Sequence, residues 1–206
     1  MTGKLNPVLL ELPAEFTGER IVLRPFCDAD APALWDAVDS SRQQLKRWMP
    51  WVNDHDSVDY SRDYVRRMQA KWILREDFPM GIWRLADGRL LGATGLHRID
   101  WTIPAMEIGY WLRPDAEGTG YATEAVKLLV PLAFELLQAE RVEIRCDALN
   151  LRSAAIARRL GFVEEATLRC ARRNVDNELG DTLLFALTRK DAGTLQAGTS
   201  SRRINS

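Results

Sequence analysis

The chain has 206 residues, of which 46% are hydrophobic and 28% are charged, and its formal net charge is −1. This length is enough for one well-packed domain, and the composition is typical of a globular protein. The near-neutral charge gives no support to binding of nucleic acid or of an anionic membrane.

The cysteines and histidines argue against a disulfide framework or a metal site. The chain has three cysteines and two histidines, and no C-x-x-C spacing. No apolar run approaches the ~20 residues of a membrane span, and the N-terminus lacks the pattern of a secretory signal. We therefore expect a reduced, cytoplasmic protein that binds no metal, no nucleic acid and no membrane.

The first part of the chain predicts one strand and two helices after a loose lead-in over residues 1–18. Residues 19–26 alternate apolar and charged side chains, which is typical of a strand. One helix is expected over 32–38, after a capping aspartate, and another over 57–75, where apolar residues recur at helical spacing. The aromatic-rich segment 45–52 lies between the two helices and is interrupted by a proline.

The middle of the chain predicts an antiparallel meander followed by a long helix. The strands are expected over 80–85, 90–99 and 105–112, and an Asp-Gly pair between the first two favours a hairpin. The helix over 120–138 is apolar on more than one face, so it should be well buried. Pro131 should kink or split this helix.

The last part alternates strands with one helix. A strand is predicted over 141–147, a helix over 150–160 that ends at a glycine, and strands over 162–172 and 181–188. Residues 190–206 are polar and small, which predicts a disordered tail. The order of elements predicts one mixed α/β domain over residues 19–189.

The segment 107–125 reads E-I-G-Y-W-L-R-P-D-A-E-G-T-G-Y-A-T-E-A. It combines a strand, a proline-marked turn and two glycines at the start of a helix. Such a junction exposes backbone N–H groups at the positive end of a helix dipole, which suits a phosphate-bearing ligand. On its own, the G-x-G pair is also compatible with a simple tight turn.

A second segment, 147–162, reads D-A-L-N-L-R-S-A-A-I-A-R-R-L-G-F. It places Asn150 and Ser153 on one side of a helix start, directly after a strand. One helix and one strand separate this segment from Gly120, so the two helix starts can be neighbours at the edge of a slot in the sheet. Both polar residues are also ordinary helix caps.

With these segments in view, the chain resembles the GNAT acetyltransferase superfamily over roughly residues 19–188. It is most similar to the branch of ribosomal-protein N-terminal alanine and serine acetyltransferases. The resemblance is carried by E-I-G-Y-W-L-R-P, G-T-G-Y-A-T-E-A, N-L-R-S-A-A-I-A-R-R-L-G-F and W-M-P-W. It implies a mostly antiparallel, splayed central sheet flanked by helices, acetyl-CoA as co-substrate, and a possible homodimer.

The resemblance also implies a set of site residues. Glu107 would be the base that deprotonates the acceptor amine, although an acidic residue on a strand can also be purely structural. Ser153 would protonate the departing thiolate, because Ala157 occupies the position of the tyrosine that many members use. The residues expected to bind the co-substrate are Trp111, Leu112, Glu117, Gly118, Thr119, Gly120, Tyr121, Ala122, Asn150 and Ser153.

Glu117 stands where the family pattern usually has glutamine or a basic residue, so we expect it to contribute only its backbone and to point to solvent. Trp48 and Trp51 are expected to line the acceptor site. His97 is expected to be a structural strand residue and not a base.

The resemblance implies an enzyme that transfers acetyl to a primary amine by direct attack in a ternary complex. The preferred acceptor is a protein or peptide N-terminal α-amine. The alternatives are a small-molecule amine, such as a polyamine, an amino acid or an antibiotic, and a non-catalytic acyl-CoA-binding module.

Overall fold

The computed structural model describes residues 6–174 and 176–192. The strands in this part of the chain are β1 Phe16–Thr17, β2 Ile21–Pro25, β3 Phe78–Arg84, β4 Leu90–Asp100, β5 Ala105–Leu112, β6 Arg141–Asp147, β7 Val163–Arg173 and β8 Leu179–Thr188. They form one open sheet with the spatial order β1-β2-β3-β4-β5-β6-β8-β7. The β5–β6 pair is parallel, and the other neighbouring pairs are antiparallel.

Within the described residues, four α-helices cover the two faces of this sheet. They are α1 Ala31–Leu45, α2 Val58–Leu74, α3 Tyr121–Pro131 and α4 Leu151–Arg159. Apolar residues of α1 and α2 pack on Trp83 and Ala93, on what we call the α1–α2 face. Apolar residues of α3 and α4 pack on Met106 and Ile108, on the opposite α3–α4 face. Each face therefore has its own hydrophobic core.

The parallel pair at the centre of the sheet is short. Its register runs from Ala105↔Arg141 to Glu107↔Glu143 and then ends. Beyond this point β5 stays paired with β4, and β6 stays paired with β8. The two central strands therefore diverge, and the opening between them is called the gap below. The mostly antiparallel, splayed sheet expected from the sequence is confirmed.

The predicted helices are present, but α1 is longer than expected. Residues 39–45 look polar in the sequence, which hides their amphipathic pattern. In the structure Leu45 and Ser41 are buried, and the Ser41 hydroxyl donates a hydrogen bond to the Ala37 carbonyl at 2.6 Å. This bond satisfies the hydroxyl inside the core and lets the helix continue.

Pro131 ends α3, and the chain continues over Leu132–Leu136 as a π-helical segment. The predicted interruption is therefore confirmed. Two ends differ from expectation: the lead-in contributes strand β1, and residues 189–192 form a helical turn. The predicted disordered tail begins within this turn, and its residues 193–206 lie outside the described residues. Within the described ranges, no helix is long and apolar enough to span a membrane.

Candidate active site

The loop between β5 and α3 presents main-chain N–H groups at the start of a helix. Gly118 and Gly120 have φ angles of +73° and +91°, a left-handed region that favours glycine. The first intrahelical bond runs from the Glu124 N–H to the Gly120 carbonyl at 3.0 Å. The preceding N–H groups therefore lack helical acceptors. A Cβ placed on Gly118 would meet no atom within 4 Å, so the space above this loop is open.

Arg20 fixes the position of this loop. Its Nη1 donates to the Thr119 carbonyl at 2.9 Å, and its guanidinium forms a 2.9 Å ion pair with Glu124 in α3. The same guanidinium lies 4.8 Å from the centre of the Tyr121 ring. The Thr119 hydroxyl also donates to the Ala116 carbonyl at 2.7 Å. These contacts hold the loop in one conformation without using its N–H groups.

Glu117 does not point freely to solvent, which corrects the expectation from the sequence. Its Oε2 accepts a 2.6 Å hydrogen bond from Arg152 Nη1, and its Oε1 accepts one from Gln44 Nε2. Gln44 is near the end of α1 and Arg152 is in the first turn of α4. The carboxylate therefore joins the loop to both helices, and Arg152 offsets its charge beside the open loop.

The start of α4 lies across the gap from β5. Asn150 is the N-cap, and its Oδ1 accepts the Ser153 N–H at 3.1 Å. The Ser153 hydroxyl is 2.9 Å from the Tyr110 hydroxyl. Tyr110 comes from β5, so this hydrogen bond bridges the strand and the helix. Burial raises the pKa of Tyr110 to about 12, and the bond to Ser153 opposes this shift.

The register of β5 determines which of its N–H groups face the gap. The Arg113 N–H donates to the Leu91 carbonyl on β4 at 2.7 Å. Because the N–H direction alternates along a strand, the Trp111 N–H also faces β4. The N–H groups of Tyr110 and Leu112 therefore face the gap. The geometry favours Leu112 over Trp111 as a donor to a ligand there.

Glu107 lies on the α1–α2 face, where the gap begins. Its side chain is 17% exposed, and its Oε2 lies 3.4 Å from the Nε atoms of both Arg98 and Arg145. Among the described residues, this buried oxygen has no hydrogen-bond partner. Burial raises the pKa of Glu107, and the two arginines oppose this shift. The carboxylate is thus placed to accept a hydrogen bond or a proton from a ligand.

A cavity of about 220 Å³ opens beside this carboxylate. Its lining includes Arg98, Glu107, Arg145, Cys146, Asp147 and Arg172. Two carboxylates and three guanidinium groups therefore surround one small volume. This arrangement suits a small polar group better than an apolar one.

The aromatic segment between α1 and α2 lies near this cavity. The Trp51 ring is 6.2 Å from the Trp111 ring, and Trp111 shares a strand face with Glu107 because the two are four residues apart. The Trp48 carbonyl accepts a 2.8 Å hydrogen bond from Arg172 Nη2, and Arg172 pairs with Asp147 at 2.9 Å. Trp48 and Trp51 are therefore brought to the side of the gap that holds Glu107.

The expected site residues thus fall into two groups on opposite faces of β5. Glu107, Trp111, Trp48 and Trp51 belong to the α1–α2 face. Ser153 meets Tyr110 on the α3–α4 face, and the glycine loop stands beyond the end of β5. No local sequence pattern marks Tyr110, Arg20, Arg152 or Arg98 as site residues, because their contacts depend on strand register and on helices that are distant in the chain.

His97 is held in a structural contact. Its Nδ1 lies 2.6 Å from Oδ1 of Asp77, and it pairs across the sheet with Glu107. Within residues 6–174 and 176–192, no group of three or more His, Cys, Asp or Glu side chains is placed to hold a metal ion.

Comparison with known proteins agrees with this geometry. Residues 20–163 match the acetyltransferase (GNAT) domain family. The protein YdaF of Bacillus subtilis is 32% identical over 152 residues, which are 73% of this chain and 82% of YdaF. The ribosomal-protein-serine acetyltransferase of Escherichia coli is 31% identical over 154 residues, which are 74% of this chain and 84% of the relative.

A solved structure shows the same fold. It is RimL, a ribosomal-protein α-N-acetyltransferase, in complex with coenzyme A, with a TM-score of 0.79 and 21% identity. The match covers 87% of this chain and 98% of RimL.

Proposed function

The chain belongs to the GNAT acetyltransferase family and is an N-acetyltransferase, and from this premise we propose that it transfers acetyl from acetyl-CoA to an N-terminal α-amine of a protein or peptide. The observation that carries the proposal is the gap, which has on one face the Glu107 oxygen that lacks a hydrogen-bond partner among the described residues, and on the other face Ser153. An acyl donor and an amine can therefore enter the gap from opposite faces of the sheet.

The residues of the glycine loop fit a diphosphate. The N–H groups over residues 118–122, which precede the first intrahelical bond, and the positive end of α3 stabilise negative charge. The open space at Gly118 leaves room for it. Acetyl-CoA, when bound, supplies an activated acetyl thioester. Leu112 and Asn150 would hold its arm by hydrogen bonds in the gap, and the Leu112 N–H would polarise the thioester carbonyl.

Glu107 would act on the amine. A typical α-amine has a pKa of ~7.7, so roughly a sixth of its molecules are neutral at pH 7, whereas a lysine amine of pKa ~10.4 is neutral in about one molecule in a few thousand. A carboxylate whose pKa is raised by burial is a better base than an ordinary one. It can take the proton from an α-amine directly or through a water molecule.

Ser153 would act on the leaving sulfur. Its hydroxyl can donate a proton to the thiolate and recover one through Tyr110, which is 2.9 Å away and in turn takes a proton from solvent, so that both hydroxyls end the cycle protonated. A phenol is protonated at neutral pH, and burial, which raises the pKa of Tyr110 to about 12, favours this form further. These two hydroxyls would take the role of the tyrosine that many family members have at the position of Ala157. This argues against a non-catalytic acyl-CoA-binding module.

The acceptor class is supported by the names of the relatives. The Escherichia coli relative is named for a serine of a ribosomal protein, and RimL for an α-amine of one. We also propose a cytoplasmic location, because ribosomal proteins are the substrates that these names give. A homodimer stays a prediction from the family resemblance.

The proposed acceptor is tested by a thiol-release assay with acetyl-CoA and a panel of amines. We expect turnover with short peptides that have free N-terminal serine or alanine, and none with the same peptides after N-terminal formylation. Turnover with free polyamines, amino acids or antibiotics but not with peptides would identify a small-molecule enzyme. Binding of coenzyme A without turnover on any amine would contradict the proposed function.

Glu117→Gln should tighten coenzyme A binding about threefold, because it removes a negative charge beside the loop and releases Arg152 to bind phosphate. Calorimetric titration of wild type and variant with coenzyme A measures this change. The free energy of unfolding should change by less than about 0.5 kcal/mol, since Arg152 is largely exposed. Weaker binding by the variant would show instead that the Glu117 contacts are needed to order the loop.

A further inference from the structure

Two strand irregularities shape the cavity beside Glu107. On β4 the register shifts between His97 and Asp100, and Arg98 inside this bulge has φ of +50°. On β7 the register shifts between Leu168 and Arg172, and Cys170 has φ of +52°. Residues other than glycine avoid this conformation, and in strands it marks bulges that redirect side chains. Both bulges lie in strands that line the same cavity.

The bulge on β4 changes the face to which Arg98 points. In a regular strand Arg98 would point away from the face that His97 and Glu107 share. In the structure its Nε instead lies 3.4 Å from Oε2 of Glu107, and its side chain lines the cavity. The left-handed backbone at Arg98 therefore places a guanidinium beside the proposed base.

The three arginines of the cavity differ in how closely their guanidinium groups are paired with carboxylates of the protein. Arg172 pairs with Asp147 at 2.9 Å and also binds the Trp48 carbonyl. Arg145 donates two hydrogen bonds to Glu143, at 3.0 and 2.8 Å. Among the described residues, the closest ion-pair contact of Arg98 is the 3.4 Å contact with Glu107, and its side chain is 70% exposed. Arg98 therefore keeps hydrogen-bond donors for a ligand.

This position of Arg98 has a consequence for the acceptor. A protonated amine that approaches Glu107 meets a fixed positive charge next to the same oxygen, and this repulsion disfavours acceptors with a basic neighbour. A carboxylate close to the amine would reverse the effect, because it can pair with the exposed Arg98 guanidinium while the amine binds Glu107.

We propose that the acceptor carries a carboxylate next to its amine, as in a peptide whose second residue is aspartate or glutamate, and that Arg98 is the residue that selects it. This inference rests on the proposed function. Arg98 binds the acidic side chain, and Glu107 binds the α-amine in the same cavity.

The test compares kcat/KM for peptides Ser-Asp, Ser-Asn and Ser-Lys, each followed by the same neutral, C-terminally amidated sequence. The wild type should prefer Ser-Asp over Ser-Asn by about tenfold, the low end of what one charge-assisted hydrogen bond contributes, because Arg98 is exposed, and Ser-Lys should be the poorest. The preference should weaken as salt rises, because Arg98 is exposed.

Variants of Arg98 test whether its charge causes the preference for Ser-Asp over Ser-Asn. Arg98→Gln should reduce the ratio to about one, and Arg98→Gly should do the same while relaxing the left-handed backbone. Arg98→Lys should keep most of the ratio. Arg67→Gln is the matched control: Arg67 is an exposed arginine on α2 that pairs with Asp63, and its loss should leave the ratio unchanged.

The outcomes separate this inference from the function on which it rests. Turnover on all three peptides at equal rates, or a preference that Arg98→Gln leaves intact, would overturn the role of Arg98 while the acetyltransferase activity stands. No turnover on any peptide would instead count against the proposed function.

A second experiment compares free serine with serine amide as acceptors. If an Arg98-dependent preference is found only for free serine over serine amide, and not for Ser-Asp over Ser-Asn, the acceptor is an amino acid and the peptide assignment is wrong.

Discussion

Glu107→Gln should lower kcat/KM for a peptide α-amine about a hundredfold, the lower end of what a general base contributes. Glutamine has nearly the same shape but cannot accept the proton. Its amide should still fill the space beside Arg98 and Arg145, so binding of coenzyme A should not change. Steady-state kinetics with peptide as the varied substrate measure the effect.

The effect of Glu107→Gln on the rate should depend on pH. Since only the ionised carboxylate is a base, the wild-type rate should fall as the pH falls through the pKa of Glu107, which burial raises. The variant should lose this acidic limb and keep only the limb that belongs to the amine. A pH–rate profile of Glu107→Gln with the same shape as that of the wild type would remove Glu107 from the role of base.

Stability provides the control for this variant. Burial favours the protonated form of Glu107, so the free energy of unfolding should rise as the pH falls through the raised pKa. At pH 7 Glu107→Gln should therefore be no less stable than the wild type, which a thermal melt can check.

Ser153→Ala should cost only about tenfold in kcat, because a thiolate of pKa ~8.5 leaves with little help. Equal losses in kcat for the two variants would contradict this ranking.

Gly118→Val should weaken coenzyme A binding about a hundredfold, which corresponds to one or two lost hydrogen bonds from main-chain N–H groups to charged phosphate. The valine side chain would occupy the open space where the diphosphate is proposed to lie. It would also be strained at a φ of +73°. Calorimetric titration with coenzyme A measures the loss.

Gly88→Val is the matched control for this variant. Gly88 has a φ of +68° and also has open space at its Cβ position, but it lies in the turn between β3 and β4. Both variants should lose similar stability, at least about 1 kcal/mol each, from the left-handed backbone. Only Gly118→Val should lose affinity for coenzyme A. An equal loss of affinity in both variants would mean that strain, and not contact with the ligand, is responsible.

Much of the fold could be predicted because its local patterns agree with its packing. The alternation in 141–147 gave the bounds of β6, since its apolar residues face one core and its charged residues the other face. The helix over 57–75 was recognisable because Ser57 caps it and its apolar residues have helical spacing. The glycine loop and the N-L-R-S segment could be placed because each stands where a strand meets a helix.

The chemistry of the site was less predictable because it depends on register. The contact of Tyr110 with Ser153 requires β5 and α4 to face each other across the gap, which neither segment encodes alone. The position of Arg98 depends on a bulge that no glycine or proline marks. The binding of Glu117 to Gln44 and Arg152 joins three elements that are far apart in the chain.

A crystal structure of the protein with coenzyme A tests the central claim most directly. We expect the diphosphate to accept hydrogen bonds from N–H groups within residues 118–122, and the thiol to end in the gap beside the hydrogen-bonded hydroxyls of Tyr110 and Ser153. A coenzyme A molecule bound elsewhere, with β5 and β6 closed against each other beyond Glu107, would contradict the account.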